Sequence, residues 1–151
     1  MAYRVRTRNC FDPTSPDPFK LSRSRLEVYL SCPRCFYLDR LLGIDRVQGP
    51  AFTLNSATDT LLKKEFDVHR AAKTPHPLFK PFGVDAIPFA HADLDKWREN
   101  FQGIQYLHAA TNLLLTGAID DVWQLPDETL AIVDYKSTST LKQISLDDPW
   151  K

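Results

Sequence analysis

The chain has 151 residues and a mass of 17.3 kDa, with 19 basic and 19 acidic side chains and a pI near 6.9. Its 43% hydrophobic and 25% charged residues describe one globular domain with room for a core, and exclude a collagen, a wholly disordered chain and a polycationic coat for nucleic acid. No apolar run approaches the ~20 residues of a membrane-spanning helix, the start Met1-Ala2-Tyr3-Arg4-Val5-Arg6 lacks a secretory apolar stretch, and Cys10, Cys32 and Cys35 are too few for a disulfide framework, which together point to a cytoplasmic protein.

Asp12-Pro13, Ser15-Pro16 and Asp17-Pro18 make residues 1–20 read as an extended, basic lead-in, with the folded domain at 21–151. Ser24-Arg25-Leu26-Glu27 has the spacing of a capping box, and Leu26, Tyr29 and Leu30 share a helical face after it. Pro33 suits the first turn of a second helix, which runs to about Leu42 with Gly43 as its left-handed cap. A third helix is expected from Ser56 to about Ala71, with Leu61, Leu62, Phe66 and His69 on its inner stripe. Residues 73–90, rich in proline, read as a loop, and Asp93 as the cap of a short helix carrying Leu94, Trp97 and Phe101. After Gly103 the pattern turns to alternation. Strands are expected at 104–108, 113–123 and 129–135, the last two joined by a tight turn at Leu125-Pro126-Asp127-Glu128. The fold class is thus α/β: N-terminal helices packed on a small, mainly antiparallel sheet. Residues 137–151 carry no sustained period, so one face of that sheet lacks a cover and the C-terminal part of the domain reads as missing.

Charge is unevenly placed: residues 1–25 carry a net +4 and residues 120–151 a net −4, as suits a phosphate-facing end and a metal-facing end. Asp134 and Lys136 are two apart on one strand and share a face. A three-residue turn places Asp120 directly opposite Asp134, whereas a four-residue turn places Asp121 there. Opposed carboxylates repel, and a hard divalent cation between them, Mg²⁺ or Mn²⁺, relieves that repulsion. With a lysine alongside, these are the parts of metal-assisted phosphodiester hydrolysis.

Gly117-Ala118-Ile119-Asp120, a hairpin and then Ile132-Val133-Asp134-Tyr135-Lys136-Ser137 resemble the core of the PD-(D/E)XK nuclease superfamily. The RecB-like branch, with the CRISPR-associated exonucleases, is the nearest in pattern. Leu21-Ser22, Ser24, Leu26 and Tyr29-Leu30-Ser31-Cys32-Pro33-Arg34 resemble that branch's N-terminal helical signature, so the likeness covers roughly residues 21–137. It implies a restriction-endonuclease-like core, DNA with single-stranded character as substrate, and Asp120, Asp134 and Lys136 as catalytic residues. It also implies metal ligation by Asp120, Asp134 and the Tyr135 carbonyl. Ser56-Ala57-Thr58-Asp59 stands where the branch often has Gly-x-x-His, which makes Asp59 a further candidate ligand, with Glu65 and His69 behind it. No Gln-x-x-x-Tyr follows the lysine strand, since Gln143 has no tyrosine at that spacing. Cys32 matches the first ligand of the iron–sulfur cluster found in some members, but no cysteine follows Cys35, so no cluster is expected. Cys32 and Cys35 amount to half a zinc site at most, and read as small apolar groups where two helices meet. Arg23, Arg25 and Arg34 are candidate nucleic-acid contacts, and some of the aromatic residues could stack on single-stranded bases. The alternative reading is a catalytically inactive module on the same fold that binds nucleic acid or a protein partner.

Overall fold

The structure, a computed structural model, describes residues 5–44 and 53–137, so Arg4 and the stretch holding Gln143 lie outside the described residues. Strand β1 (Phe19–Ser22) leads into helices α1 (Arg23–Ser31) and α2 (Pro33–Arg40), and helix α3 spans Thr53–Ala72. A 3-10 turn at Pro77–Phe82 and a two-residue strand β2 (Ile87–Pro88) precede helix α4 (Leu94–Arg98). Strands β3 (Ile104–His108), β4 (Leu113–Gly117), β5 (Asp121–Gln124) and β6 (Leu130–Val133) complete the order. None of these helices is long and apolar enough to cross a membrane.

The fold is mixed α/β, but its strands form two small sheets rather than one. The first has the order β1-β4-β3, with β1 parallel and β3 antiparallel to β4; the second, β2-β5-β6, is wholly antiparallel. The single strand expected over 113–123 is therefore broken after Gly117. The cause lies in α4: Trp97 O accepts from Ile119 N at 3.1 Å, and Arg98 Nε donates to Asp120 O at 2.9 Å. Backbone groups committed to a helix cannot also serve a sheet ladder. Gly103 makes the neighbouring crossing possible, since at φ +60° an added Cβ would lie 2.4 Å from the Gly117 carbonyl oxygen.

Several boundaries differ from the sequence reading. The capping box does not form. The N-cap of α1 is Ser22, two residues earlier, and the Ser24 hydroxyl lies 3.1 Å from that of Ser22. Helix α2 stops at Arg40, and Gly43 takes the expected left-handed conformation. At the junction between them Cys32 caps α2, its sulfur accepting from Cys35 N at 3.2 Å, and the two half-buried thiols lie side by side. The stretch 73–90 is not wholly loop, because prolines that cannot enter an α-helix interior still suit the 3-10 turn and a strand edge. Residues 5–18 form no helix or strand, as their prolines require, yet they are fastened. Arg6 N donates to Gly43 O at 2.8 Å and Phe11 N to Arg40 O at 2.6 Å.

The core lies between α3 and the second sheet. Phe66 is its centre, 1% exposed, with Phe79 and Ala86 buried beside it and Leu62, Trp123, Leu125 and Tyr135 around them. The Phe66 ring stacks on His76 at 4.1 Å and on Trp123 at 5.4 Å. Leu61, expected on the inner stripe of α3, points outward. On the hairpin, Asp121, Trp123 and Leu125 alternate with Val122 and Gln124, so the first three share the α3-facing side. The outer side carries Leu130 and Ile132, both exposed. Phe66→Ala is expected to lower unfolding free energy by about 3–5 kcal/mol. Urea denaturation measures this, and a loss under about 1 kcal/mol would show that the ring is not the centre of the core.

Candidate active site

The β5–β6 ladder pairs Asp121 with Val133 and Gln124 with Leu130, which is the register of the three-residue turn. Leu125 N donates to Thr129 O at 2.9 Å, and Glu128 sits at φ +68°, the left-handed residue such a turn needs. Asp127 Oδ1 takes Thr129 N at 3.0 Å and Thr129 Oγ1 at 2.6 Å, which holds the Asp127 carboxyl below the ordinary aspartate range. The alternative left open by the sequence is thereby settled. Asp120 lies one step past the last ladder pair, across from Asp134, and Asp121 faces inward.

Helix α3 supplies the opposing side chains. Asp59, Lys63, Asp67 and Arg70 follow one another at spacings that bring them along one side of a helix. Lys63 Nζ donates to Asp59 Oδ2 at 2.9 Å and to Asp120 Oδ1 at 3.1 Å. Partial burial lowers the Lys63 pKa, but bonds and charge from Asp59 and Asp120 outweigh it, and the net shift is upward. Asp120 Oδ2 accepts from Tyr135 N at 2.7 Å. Asp134 and Lys136, both largely exposed, form a direct ion pair on the outer face of the hairpin.

Beneath this lies a buried network. Asp121 has no exposed surface. Its Oδ1 accepts from Arg70 Nη2 and Val122 N, at 2.6 and 2.7 Å, and lies 3.2 Å from Arg98 Nη2; its Oδ2 accepts from the Tyr135 hydroxyl at 2.7 Å. Asp67 joins the same two arginines, taking Arg70 Nε at 3.1 Å and Arg98 Nη1 at 2.9 Å. Burial, and the bond to the Asp121 carboxylate, push the Tyr135 phenol well above the ordinary tyrosine range.

Among the sequence candidates, Asp59 and Asp120 thus meet at one ammonium, and Asp134 and Lys136 meet each other. Glu65 Oε1 lies 3.1 Å from His76 Nε2, and His69 Nδ1 contacts the Thr74 hydroxyl. Arg23 lies exposed beside Glu27 and Arg34 is exposed, whereas Arg25 is tied to Asp39 at 2.7 Å. Lys63, Asp67, Arg70, Arg98 and the inward role of Asp121 were missed. The only sequence signal for them was the Asp59, Lys63, Asp67, Arg70 spacing on α3. Carboxylate and carbonyl oxygens are the donors that a hard divalent cation takes, but Asp59 and Asp120 meet at Lys63 whereas Asp134 is paired with Lys136. The Lys63 ammonium between two of those carboxylates marks where positive charge is required. Among the described residues, no group of three or more His, Cys, Asp or Glu side chains converges as a metal cluster. Comparisons with protein-family models, curated proteins and solved structures give no match.

Asp121→Ala leaves Arg70 and Arg98 facing an empty acceptor, and should cost about 3–5 kcal/mol by urea unfolding. A variant as stable as the parent would remove the network from the account of the fold. Tyr135 ionises in the unfolded chain near 10.0 and higher in the fold, so stability falls as pH rises past that value. An alkaline titration of tyrosinate absorbance should contain one late step that Tyr135→Phe removes.

Proposed function

We propose that the chain is a metal-dependent nuclease of the PD-(D/E)XK, RecB-like type, acting on DNA with single-stranded character. The observation that carries this reading is the hairpin register, in which Asp120 falls one step past the last ladder pair, opposite Asp134, while Asp134 pairs with Lys136. Helix α3 against the antiparallel hairpin agrees with a restriction-endonuclease-like core.

Asp120, Asp134, the Tyr135 carbonyl and Asp59 would hold Mg²⁺ or Mn²⁺. When bound, that cation supplies Lewis acidity toward a phosphate oxygen and acidifies water. The chain does the rest. Lys63 bonds Asp59 and Asp120 together and so holds both carboxylates at one point. Tyr135 N holds Asp120 in one orientation, and the Asp121 network locks Tyr135 in turn. Lys136 orients the attacking oxygen and offsets the negative charge that grows on the phosphate. Its exposure leaves it open to a polymer substrate.

One observation favours the second reading, a binding module without turnover. Both Asp120 oxygens are already engaged, one by Lys63 and the other by Tyr135 N. Cleavage of single-stranded DNA with Mg²⁺ or Mn²⁺, run beside a binding assay, separates the two. The nuclease reading expects product that EDTA abolishes. Asp134→Ala and Lys136→Ala should each lower the rate by at least ~10²-fold with melting unchanged, since both side chains are exposed. Binding with no product in either metal would overturn the nuclease reading, as would full activity in either variant.

A further inference from the structure

Cys32 and Cys35 stand at the corner where α1 ends and α2 begins. Pro33 opens α2, where its ring suits the first helical position. Cys32 lies just outside the helix, at φ −157° and ψ 89°, and as the cap it turns its side chain back over the first turn. Its sulfur accepts from Cys35 N at 3.2 Å, and the two sulfurs lie 2.6 Å apart. Both residues are half-buried, so solvent reaches the pair. Cysteines whose side chains converge in this way can be joined with little backbone movement, whereas a pair whose side chains diverge cannot.

The same geometry gives the two thiols different roles. A sulfur carries negative charge while it attacks a disulfide, and the thiolate is the attacking form. Cys32 Sγ meets the Cys35 N–H at the N-terminus of α2, where the helix dipole is positive, and both stabilise that charge. Arg34, exposed in the same turn, adds a cation. Cys35, already in contact, is placed to attack the Cys32 sulfur in its turn.

We propose that Cys32 and Cys35 form a reversible dithiol–disulfide pair, oxidised by exchange with a small disulfide of the glutathione class. The Cys32 thiolate attacks one sulfur of that molecule. The old sulfur–sulfur bond breaks, a mixed disulfide forms on Cys32, and one small thiolate leaves. Cys35 then gives up its proton and attacks Cys32 Sγ, which closes the internal bond and expels the second small thiolate. The chain loses two electrons and two protons, and the small disulfide gains both as two thiols. The loop so closed is only four residues long, so it removes little freedom from the unfolded chain and the bond remains open to reduction.

The test needs neither nucleic acid nor metal. The full chain is equilibrated in EDTA with reduced and oxidised glutathione over a series of ratios, quenched in acid, alkylated and digested with trypsin. Cleavage after Arg25, Arg34 and Arg40 puts the two cysteines in separate peptides, 26–34 and 35–40. At reducing ratios each peptide should appear singly and alkylated. At oxidising ratios the two should appear joined, two hydrogens lighter than their sum, with the joined fraction following the square of the reduced glutathione concentration. Cys35→Ser should stop at a glutathione adduct on Cys32, and Cys32→Ser should slow consumption of oxidised glutathione by about tenfold or more. Cys10, whose sulfur donates to Arg6 O at 3.4 Å, is the control, and Cys10→Ser should leave the transition unchanged. The wild-type peptide map requires no variant, so it decides the matter even where a serine variant fails to fold. Peptides that stay separately alkylated at every ratio, or that join only to the Cys10 peptide or to a second copy of the chain, would overturn the proposal.

Discussion

The buried carboxylate of Asp121 is the constraint on which the arrangement of the hairpin depends. It receives Arg70 from α3, Arg98 from α4 and the Tyr135 hydroxyl from the end of β6. Three elements distant in sequence are brought to one group, and none can shift without leaving a charge unpaired in the interior. Ion pairs of this kind add little net stability over apolar packing. Their effect here is positional: the directional network fixes how α3, α4 and the hairpin sit around the apolar cluster at Phe66.

The same arrangement divides labour between neighbours in sequence. Asp121 turns inward and is consumed by structure, while Asp120 turns to the open end of the hairpin and meets Lys63. Asp39 repeats the pattern in a second cluster: a buried acid gathers arginines that would otherwise repel. In both places a carboxylate without solvent access fixes where cationic side chains point. At Asp121 the cations are enclosed with it. At Asp39 they line a half-open cavity.

Much of this was readable from residue order, and the rest failed for identifiable reasons. Strand and helix periods located α3, β3 and the β5–β6 hairpin, and Asp134 and Lys136 share a face as their spacing requires. Turn length was ambiguous because Asp-Glu permits either three or four residues; the ladder register and Glu128 at positive φ decide it. The break after Gly117 was invisible because its cause is tertiary: α4, far upstream, captures the backbone of Ile119 and Asp120. The capping box at Ser24 failed because Ser22 takes the cap position when β1 runs directly into α1. Arg70 and Arg98 gave no local signal, since an arginine on a helix surface and one aimed at a buried acid look alike until the partner strand is placed.

The pair Asp120-Asp121 also bears on what lengths of chain the fold can accept. Facing direction along a strand has a parity, so a single residue inserted or deleted within β5, between Asp121 and Gln124, would trade the two carboxylates between interior and rim. Neither substitute would find its partners: the arginines would lose their acceptor and Lys63 its second acid. Changes of two residues preserve the parity. Length variation at this passage should therefore come in even steps, whereas the irregular segment around Pro13 and Pro16, which carries no ladder, is free of that arithmetic.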